Sequence, residues 1–416
     1  MDPKPTSTAP DSPHAAALAG RRVLELAGAS GHYCGKLFAD MGADVLKIER
    51  PGGDASRALR PWIGRDPGPD RSLVFAYMNT SKRGVTLDLA QPEGRELFRK
   101  LASGADLVLE TTPPGTLEAL DLGFETLRRD HPALVMTSIT GFGQTGPHRG
   151  YRSSDLVAGA LGGAMHVTGS AADPPVRLAG TQAYASASIC AAASSMIALF
   201  HARRSGQGQH VDISLEETMV SVSHICGIGK WLDDRIVPRR SGPGLFASVP
   251  SGTYRCRDGL IYLMVNRPAH WQALASWVHE VTGNREILDP MFEGPSSNRY
   301  EYRELLDLFI GELTATQTVE SVYREGQRRR IAFTPVQTLE GVNADRQLAS
   351  RGYFVVVEHP EHGPLRLPGA PYQHSETPCR ISRPAPRVGE HNREIYGGEL
   401  GLADAELEAL AANGVL

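Results

Sequence analysis

This sequence of 416 residues has few cysteines, a small net charge and few long apolar runs. The five cysteines are Cys34, Cys190, Cys226, Cys256 and Cys379. Their odd number, and the lack of any CxxC or Cys/His spacing typical of metal ligands, argue against a metal site and indicate reduced thiols in a cytoplasmic protein. Because the net charge is only -4, the composition gives no reason to expect a nucleic-acid partner.

Neither a secretion signal nor a membrane span is expected. Residues 1–19 are rich in Pro, Ser, Thr and Ala and lack the basic start and apolar run of a signal peptide, so we predict a disordered tail there. Residues 183–200 carry no charge, but they are mostly Ala and Ser, whose small side chains let other backbones come close. Basic residues and then Gly206 follow this stretch. We therefore predict a buried helix and no membrane partner.

Short apolar runs alternate with helical segments in the first half of the chain. Such alternation predicts an open α/β sheet with parallel strands joined by right-handed crossovers. The predicted strands are 22–27, 43–49, 85–89, 105–110, 134–139 and 210–214. A basic stretch rich in Gly and Pro follows at 235–251, then a hairpin at 252–266 and helices from 270 to 330. We take 231–330 as a smaller α+β domain.

Glycines mark the turn between the first strand and the first helix. Gly28, Gly31 and Gly35 are placed where free backbone N–H groups and the helix dipole attract phosphate. Glu49 ends the next strand, as the acidic residue of a dinucleotide site would. The spacing is G-x-x-G-x-x-x-G rather than G-x-G-x-x-G. A dehydrogenase and a plain tight turn are therefore both open interpretations of this segment alone.

Several blocks are typical of one enzyme family. They are GADVLKIERPGGD (42–54), NTSKRGVTLDLAQPEGRELFRKL (79–101), ADLVLETTPPGTLEALDLGFETL (105–127), SITGFGQTGP (138–147), SGQGQHVDISLEE (205–217) and RPAPRVGEHNREI (383–395). In this order they resemble the CaiB/BaiF, or class III, CoA-transferases. The resemblance implies a Rossmann-like large domain made from 20–230 and 331–416, with the smaller domain between. It also implies a dimer whose chains pass through each other like linked rings.

The same resemblance implies coenzyme A or acyl-CoA as substrate, with no permanently bound cofactor. By position, the family's CoA contacts fall on Ala29, Ser30, Arg50, the segment from Leu87 to Ala90, Thr111, Thr112, Pro113, Arg152 and Asp155. Arg50 also makes sense on chemical grounds, since a guanidinium offers a phosphate both charge and a fork of donors.

The family's catalytic aspartate is missing. Counted back from SGQGQ, its position at the start of the Ala/Ser-rich helix falls on Tyr184, and there is no Asp or Glu between Asp173 and Asp212. A phenol with a pKa near 10 is mostly neutral at pH 7 and is no substitute for the carboxylate. Asp155 is the nearest candidate substitute; alternatively it caps the helix that follows it, or simply neighbours the CoA.

Three functions remain open at this stage. In the first, the chain is a non-catalytic subunit and a paralogous partner chain carries the nucleophile. One form of this hypothesis has succinyl-CoA as the CoA donor and an aryl-substituted succinate as the acceptor. Alternatively it is an active homodimer, a transferase or thioesterase that uses Asp155. The third alternative is a CoA-ester binding protein without turnover.

Overall fold

Two units of different architecture make up the chain. The computed structural model describes residues 16–68, 70–224, 227–245 and 248–416. The larger unit contains the described residues up to Ala164, those from Leu178 to His224, and Leu348–Leu416. The smaller unit contains Met165–Arg177 and the described residues from Gly227 to Gln347. The larger unit is thus built from both ends of the chain, while the smaller unit extends beyond the predicted 231–330 on both sides.

The strands of the described residues form three sheets. They are β1 (Arg22–Leu26), β2 (Asp44–Glu49), β3 (Arg83–Thr86), β4 (Leu107–Glu110), β5 (Val135–Thr140), β6 (His210–Ser214), β7 (Ser251–Cys256), β8 (Gly259–Met264), β9 (Ala332–Pro335), β10 (Phe354–His359) and β11 (Gly363–Pro368). In the larger unit, β1 to β6 form a parallel sheet in the order β3-β2-β1-β4-β5-β6, and β10 and β11 form an antiparallel hairpin. The predicted α/β class with a parallel sheet is confirmed.

The helices alternate with the strands of the larger unit and then dominate the smaller one. They are α1 (His32–Asp40), α2 (Leu73–Met78), α3 (Pro92–Ala102), α4 (Thr116–Ala119), α5 (Phe124–Asp130), α6 (Asp155–Leu161), α7 (Gln182–Ser205), α8 (Leu215–Ser223), α9 (Gly227–Asp234), α10 (Pro268–Thr282), α11 (Arg303–Ala315), α12 (Val319–Arg328), α13 (Leu339–Asn343), α14 (Arg346–Ser350) and α15 (Asp404–Ala412). A π-helix, Arg393–Glu399, precedes α15.

Apolar cores cover both faces of the parallel sheet. Every residue of β4 and β5 is buried, as expected for a parallel strand with helices on both sides. One core cluster packs the sheet against α1, α7 and α8, and a second packs it against α3, α5 and the C-terminal segment. The strand predicted at 85–89 lies instead at Arg83–Thr86, because Asp88 and Ala90 already belong to the turn before α3.

The smaller unit is an antiparallel sheet packed against helices. The predicted hairpin is present as β7 and β8, and β9 pairs with β8 as a third strand that the sequence did not indicate. Because β9 lies at Ala332–Pro335, the smaller unit cannot end at 330. Its core is formed with α10, α11 and α12, and includes the buried Trp271 and Trp277.

Two predicted features need correction. Residues 16–19 were assigned to a disordered tail, but Leu18 N donates a hydrogen bond to Met41 O at 3.0 Å, so these residues form an ordered turn; 1–15 lie outside the described residues. The helix α7 was expected to be buried, yet only one face is. Its Ala and Ser residues pack on the sheet, with Ser195 Oγ 2.7 Å from Thr137 Oγ1.

The opposite face of α7 is apolar and exposed in the single chain. Ile189, Ile197 and Phe200 are each more than half exposed. By length and composition alone α7 could cross a membrane, and a third of its most apolar window is buried within the chain. Exposed apolar faces of this kind are typical of surfaces that contact another molecule.

Candidate functional site

The residues predicted to contact CoA follow the ends of successive strands. Because all six strands of the main sheet are parallel, their carboxyl ends share one edge, and the strand order reverses between β1 and β4. Open α/β sheets bind ligands at that edge, beside the reversal. The candidates arranged along it are Ala29 and Ser30 after β1, Arg50 after β2, Leu87 and Ala90 after β3, Thr111, Thr112 and Pro113 after β4, and Arg152 and Asp155 after β5.

The turn after β1 is fixed from two sides. Gly28 N donates a hydrogen bond of 2.8 Å to Thr111 Oγ1, which joins the β1 and β4 ends. On the other side, Ser188 Oγ of α7 donates to Ser30 O at 2.9 Å. A Cβ at Gly31 would lie 2.7 Å from Ala27 Cβ, so a larger residue does not fit there. The turn is therefore held in one shape beside the sheet reversal.

The candidates differ in what they can offer a ligand. Ala29, Arg50, Ala90, Pro113 and Arg152 are exposed. No ion pair joins the Arg50 side chain to any described residue, which leaves its guanidinium available for an anion. Leu87 is different, because its side chain is 2% exposed and belongs to the core. A CoA contact at Leu87, which stays a prediction, would therefore be made by its backbone.

A buried cluster of charges lies behind the turn, and the sequence did not reveal it. Glu25 is fully buried in the centre of β1 and contacts His32, Lys47 and Lys82. Its Oε2 is 2.7 Å from Lys82 Nζ, and its Oε1 is 3.2 Å from His32 Nδ1 and 3.6 Å from Lys47 Nζ. We call these four residues the Glu25 cluster. It supports the turn directly, because Lys47 Nζ also donates to Ala27 O at 3.2 Å.

The charges of the cluster shift one another's pKa values. Burial alone would raise the pKa of Glu25, but Lys82, His32 and Lys47 outweigh it and lower that pKa from 4.5 to about 2. Burial lowers the pKa of Lys82 to about 8, against the opposing attraction of Glu25. Glu25 is thus a carboxylate at neutral pH and is closely paired with the Lys82 ammonium group.

Glu49 is not free to bind a ribose. Its carboxylate accepts hydrogen bonds from Arg57 Nε at 2.9 Å and Arg57 Nη2 at 2.6 Å, and Oε1 also accepts one from Asp54 N at 2.8 Å. The side chain of Glu49 is completely buried by these partners. The dehydrogenase interpretation, which required an available acid at this position, is therefore wrong.

Asp155 connects two helices rather than capping its own. Ser154 Oγ accepts a hydrogen bond from Val157 N at 3.3 Å and thereby caps α6. Asp155 Oδ1 instead accepts a hydrogen bond of 3.1 Å from the backbone N of Tyr184, in the first turn of α7. Thr181, at the N-cap position of α7, provides no side-chain hydrogen bond, so Asp155 takes that role. The prediction that Asp155 caps the helix that follows it is wrong.

Tyr184 occupies the start of α7 as a neutral group. Its side chain is half-buried and packs against the core on that side of the sheet. Burial raises the pKa of the Tyr184 phenol above its ordinary value; a hydrogen bond with the backbone of Asp155 opposes this rise, and the charge of the Asp155 carboxylate adds to it. The phenol is therefore protonated at neutral pH.

Across the described residues, no group of three or more His, Cys, Asp or Glu side chains could hold a metal ion.

Comparison with known proteins agrees with this geometry. Residues 18–392 match the family described as CoA-transferase family III. The chain is 37% identical to the succinyl-CoA:(R)-benzylsuccinate CoA-transferase subunit BbsE of Thauera aromatica, over 95% of this chain and 97% of that protein. It is 32% identical to the succinyl-CoA–D-citramalate CoA-transferase of Chloroflexus aurantiacus, over the same two shares.

A solved structure shares the fold as well. The crystal structure of a CaiB/BaiF family protein from Brucella suis superposes with a TM-score of 0.81 at 27% identity, and the match covers 95% of this chain and 100% of that one. The sequence match, the parallel sheet with its reversal between β1 and β4, and the fixed turn agree with one another. This chain belongs to CoA-transferase family III, the CaiB/BaiF family.

Proposed function

We propose that this chain is the non-catalytic subunit of a heteromeric CoA-transferase, whose nucleophilic carboxylate lies on a paralogous chain. The proposal rests on one observation above all. The position that the family resemblance assigns to the nucleophile holds Tyr184, and the sequence has no Asp or Glu between Asp173 and Asp212. The chain therefore lacks an acid on the whole of α7.

The chemistry of the family explains why this matters. A carboxylate attacks the thioester carbonyl and forms a mixed anhydride with release of CoA thiolate, which then attacks the anhydride and releases the donor acid. The resulting aspartyl-CoA thioester transfers CoA to the acceptor acid by the reverse steps. A phenol would form an aryl ester instead, which does not regenerate this series. The raised pKa of Tyr184 makes even the first attack unfavourable.

Asp155 is a poor replacement for the missing carboxylate. Its Oδ1 holds the backbone N–H of Tyr184, and a carboxylate that turned toward a thioester would leave this donor without its partner. This contact favours a positioning role over an active homodimer or a thioesterase that uses Asp155.

The surroundings of the first turn support acyl-CoA as the substrate. The turn lies at the sheet reversal, and the exposed Arg50 and Arg152 flank the same edge. Guanidinium groups suit the phosphates of CoA. We assign the acyl-CoA to this edge, with Ala29, Ser30, Thr111 and Thr112 as its neighbours.

The likeness to BbsE supports the choice of substrates and partner. The name of that relative gives succinyl-CoA and (R)-benzylsuccinate as its reactants and describes it as a subunit. We infer that this chain serves a transfer from succinyl-CoA to an aryl-substituted succinate. We also infer an interlocked dimer with a paralogue, in which the exposed apolar face of α7, including Ile197 and Phe200, becomes covered.

Co-expression tests the proposal. The chain is produced alone and together with a family III paralogue from the same genome that has Asp at the position of Tyr184. Transfer of CoA from succinyl-CoA to benzylsuccinate is then followed by mass spectrometry. We expect the two chains to copurify, transfer by the pair only, and loss of transfer when the partner's Asp is replaced by Asn.

Each alternative has its own outcome. Turnover by the isolated chain that disappears in the Asp155→Ala variant would establish the homodimer or thioesterase. Binding of acyl-CoA with no turnover in either preparation would establish a CoA-ester binding protein.

A further inference from the structure

Glu110 is a buried acid at the ligand-binding edge of the main sheet. It is the last residue of β4, it is only 3% exposed, and the apolar Leu26 of β1 lies beside it in the sheet. Its Oε2 accepts hydrogen bonds from Thr112 N at 2.5 Å and from Thr112 Oγ1 at 2.6 Å. One carboxylate oxygen thus fixes both the backbone and the side chain of Thr112.

The segment that Glu110 restrains also holds the turn after β1. Thr111 lies between Glu110 and Thr112 in the chain, and its Oγ1 accepts the hydrogen bond of 2.8 Å from Gly28 N. Because the residues on both sides of Thr111 are tied together, the position of this acceptor depends on the Glu110 carboxylate. Glu110 therefore acts on both chain segments that meet at the reversal between β1 and β4.

The partners of Glu110 suit its ionised form. Besides Thr112, it has a hydrogen bond with Ser138 of β5, whose Oγ lies 2.8 Å from His210 Nε2 of β6. Backbone N–H and hydroxyl donors satisfy a carboxylate better than a carboxylic acid. Burial raises the pKa of Glu110; Ser138 and Thr112 lower it, and the charge of Glu118 on α4 raises it further. Glu110 therefore gains its proton more readily than an exposed glutamate does.

We propose that Glu110 is a positioning residue for acyl-CoA, whose carboxylate holds Thr111–Pro113 and the turn after β1 in the binding shape and whose protonation releases them. This inference rests on the proposed function, because it takes an acyl-CoA as the ligand of this edge. Only the ionised form has an acceptor for each donor, so the affinity for acyl-CoA is complete well above the pKa of Glu110. It is lost as the pH falls through that pKa.

Calorimetric titration of the full-length chain with acetyl-CoA, from about pH 7.5 to about pH 4.5, tests the inference. Glu110→Gln is expected to bind roughly tenfold more weakly than the wild type at neutral pH, the effect of one charge-assisted hydrogen bond. It should also lack the additional acid-dependent loss of the wild type. Protonation of the CoA phosphates affects both proteins equally. The matched control Glu118→Gln should keep the wild-type affinity at neutral pH and lose it at a lower pH.

The Ser138→Ala variant keeps Glu110 and so completes the test even if Glu110→Gln does not fold. It removes one donor to the carboxylate but leaves the contacts with Thr112, so the affinity at neutral pH should stay and its loss should begin at a higher pH. The same affinity and pH profile in the wild type and Glu110→Gln, or an unshifted profile in Ser138→Ala, would overturn the inference alone. If the wild type binds no acetyl-CoA at any pH, the assignment of acyl-CoA to this edge fails, and the inference fails with it.

Discussion

Two regions that meet at the turn after β1 differ sharply in their charged groups. Behind the turn, the Glu25 cluster brings one carboxylate, two ammonium groups and an imidazole together with side chains at most 1% exposed. At the start of α7 the carboxylate of Asp155 serves as a helix cap, and Tyr184 is neutral. The structure thus places a buried charged cluster behind the turn after β1, and a neutral phenol at the start of α7.

Placing a carboxylate at position 184 is expected to have the largest effect, because it would give the start of α7 a nucleophile. In the Tyr184→Asp variant we expect acyl-CoA to form a covalent CoA adduct on the isolated chain, because the α7 dipole stabilises an anion there. Intact-protein mass spectrometry detects the CoA adduct directly, and borohydride, which reduces the aspartyl thioester to an alcohol and releases CoA, converts the adduct into a small loss of mass. Tyr184→Asn is the matched control and should remain unmodified. An unmodified Tyr184→Asp chain that still binds CoA would show that the start of α7 is not the reacting position.

The Glu25 cluster should be the most sensitive part of the larger unit to loss of one charge. Lys82→Met removes the closest cation and leaves Glu25 buried with fewer partners, so we expect a loss of about 3–5 kcal/mol in the free energy of unfolding. Lys100→Met, which removes an exposed pair with Glu96, should cost less than about 1 kcal/mol. Urea denaturation compares them. Equal losses would contradict the assigned importance of the cluster.

Acid should weaken the same cluster. Because the folded-state pKa of Glu25 is about 2 and its ordinary value is 4.5, the unfolded chain binds the proton first as the pH falls. The stabilisation from Glu25 is therefore complete above pH 4.5 and is lost as the pH approaches 2. Urea midpoints measured across this range should decline, and in Lys82→Met the decline should be smaller, because without Lys82 the folded-state pKa of Glu25 lies closer to its ordinary value. Identical pH profiles would argue against the pairing.

The smallest effect is expected at the α7 cap. Asp155→Ala removes the acceptor for Tyr184 N and should cost about 0.5–2 kcal/mol of unfolding free energy, as other lost N-caps do. Asp155→Asn retains an oxygen acceptor and should lose less. Urea denaturation of the two variants is the measurement. If Asp155→Ala is as stable as the wild type, Asp155 does not stabilise α7.

Sequence reasoning found the sheet more easily than the charges behind it. Strands such as β4 and β5 are recognisable as mostly apolar runs in the sequence, because both of their faces are buried in the folded protein. Lys47 and Lys82 looked like ordinary polar residues, since their ion pairs with Glu25 exist only after distant segments pack together. A lysine within the apolar strand VLKIE was the available signal.

The candidate site was located from family resemblance and only partly understood. The strand ends brought the predicted contacts to one edge, as parallel topology requires. The sequence suggested that Asp155 caps its own helix, but its partner lies 29 residues away and Ser154 already caps α6. Ser188 was missed because one serine in an Ala/Ser-rich helix looks like another until the turn packs against it.

The intact mass of the wild-type chain after incubation with acyl-CoA tests the central claim most directly. The chain is purified without any paralogue, mixed with succinyl-CoA, and treated with borohydride or hydroxylamine to capture an activated carboxyl group. We predict an unmodified polypeptide, because Tyr184 cannot form the acyl and CoA intermediates. A covalent CoA adduct or a hydroxylamine-derived modification on this chain alone would contradict the account.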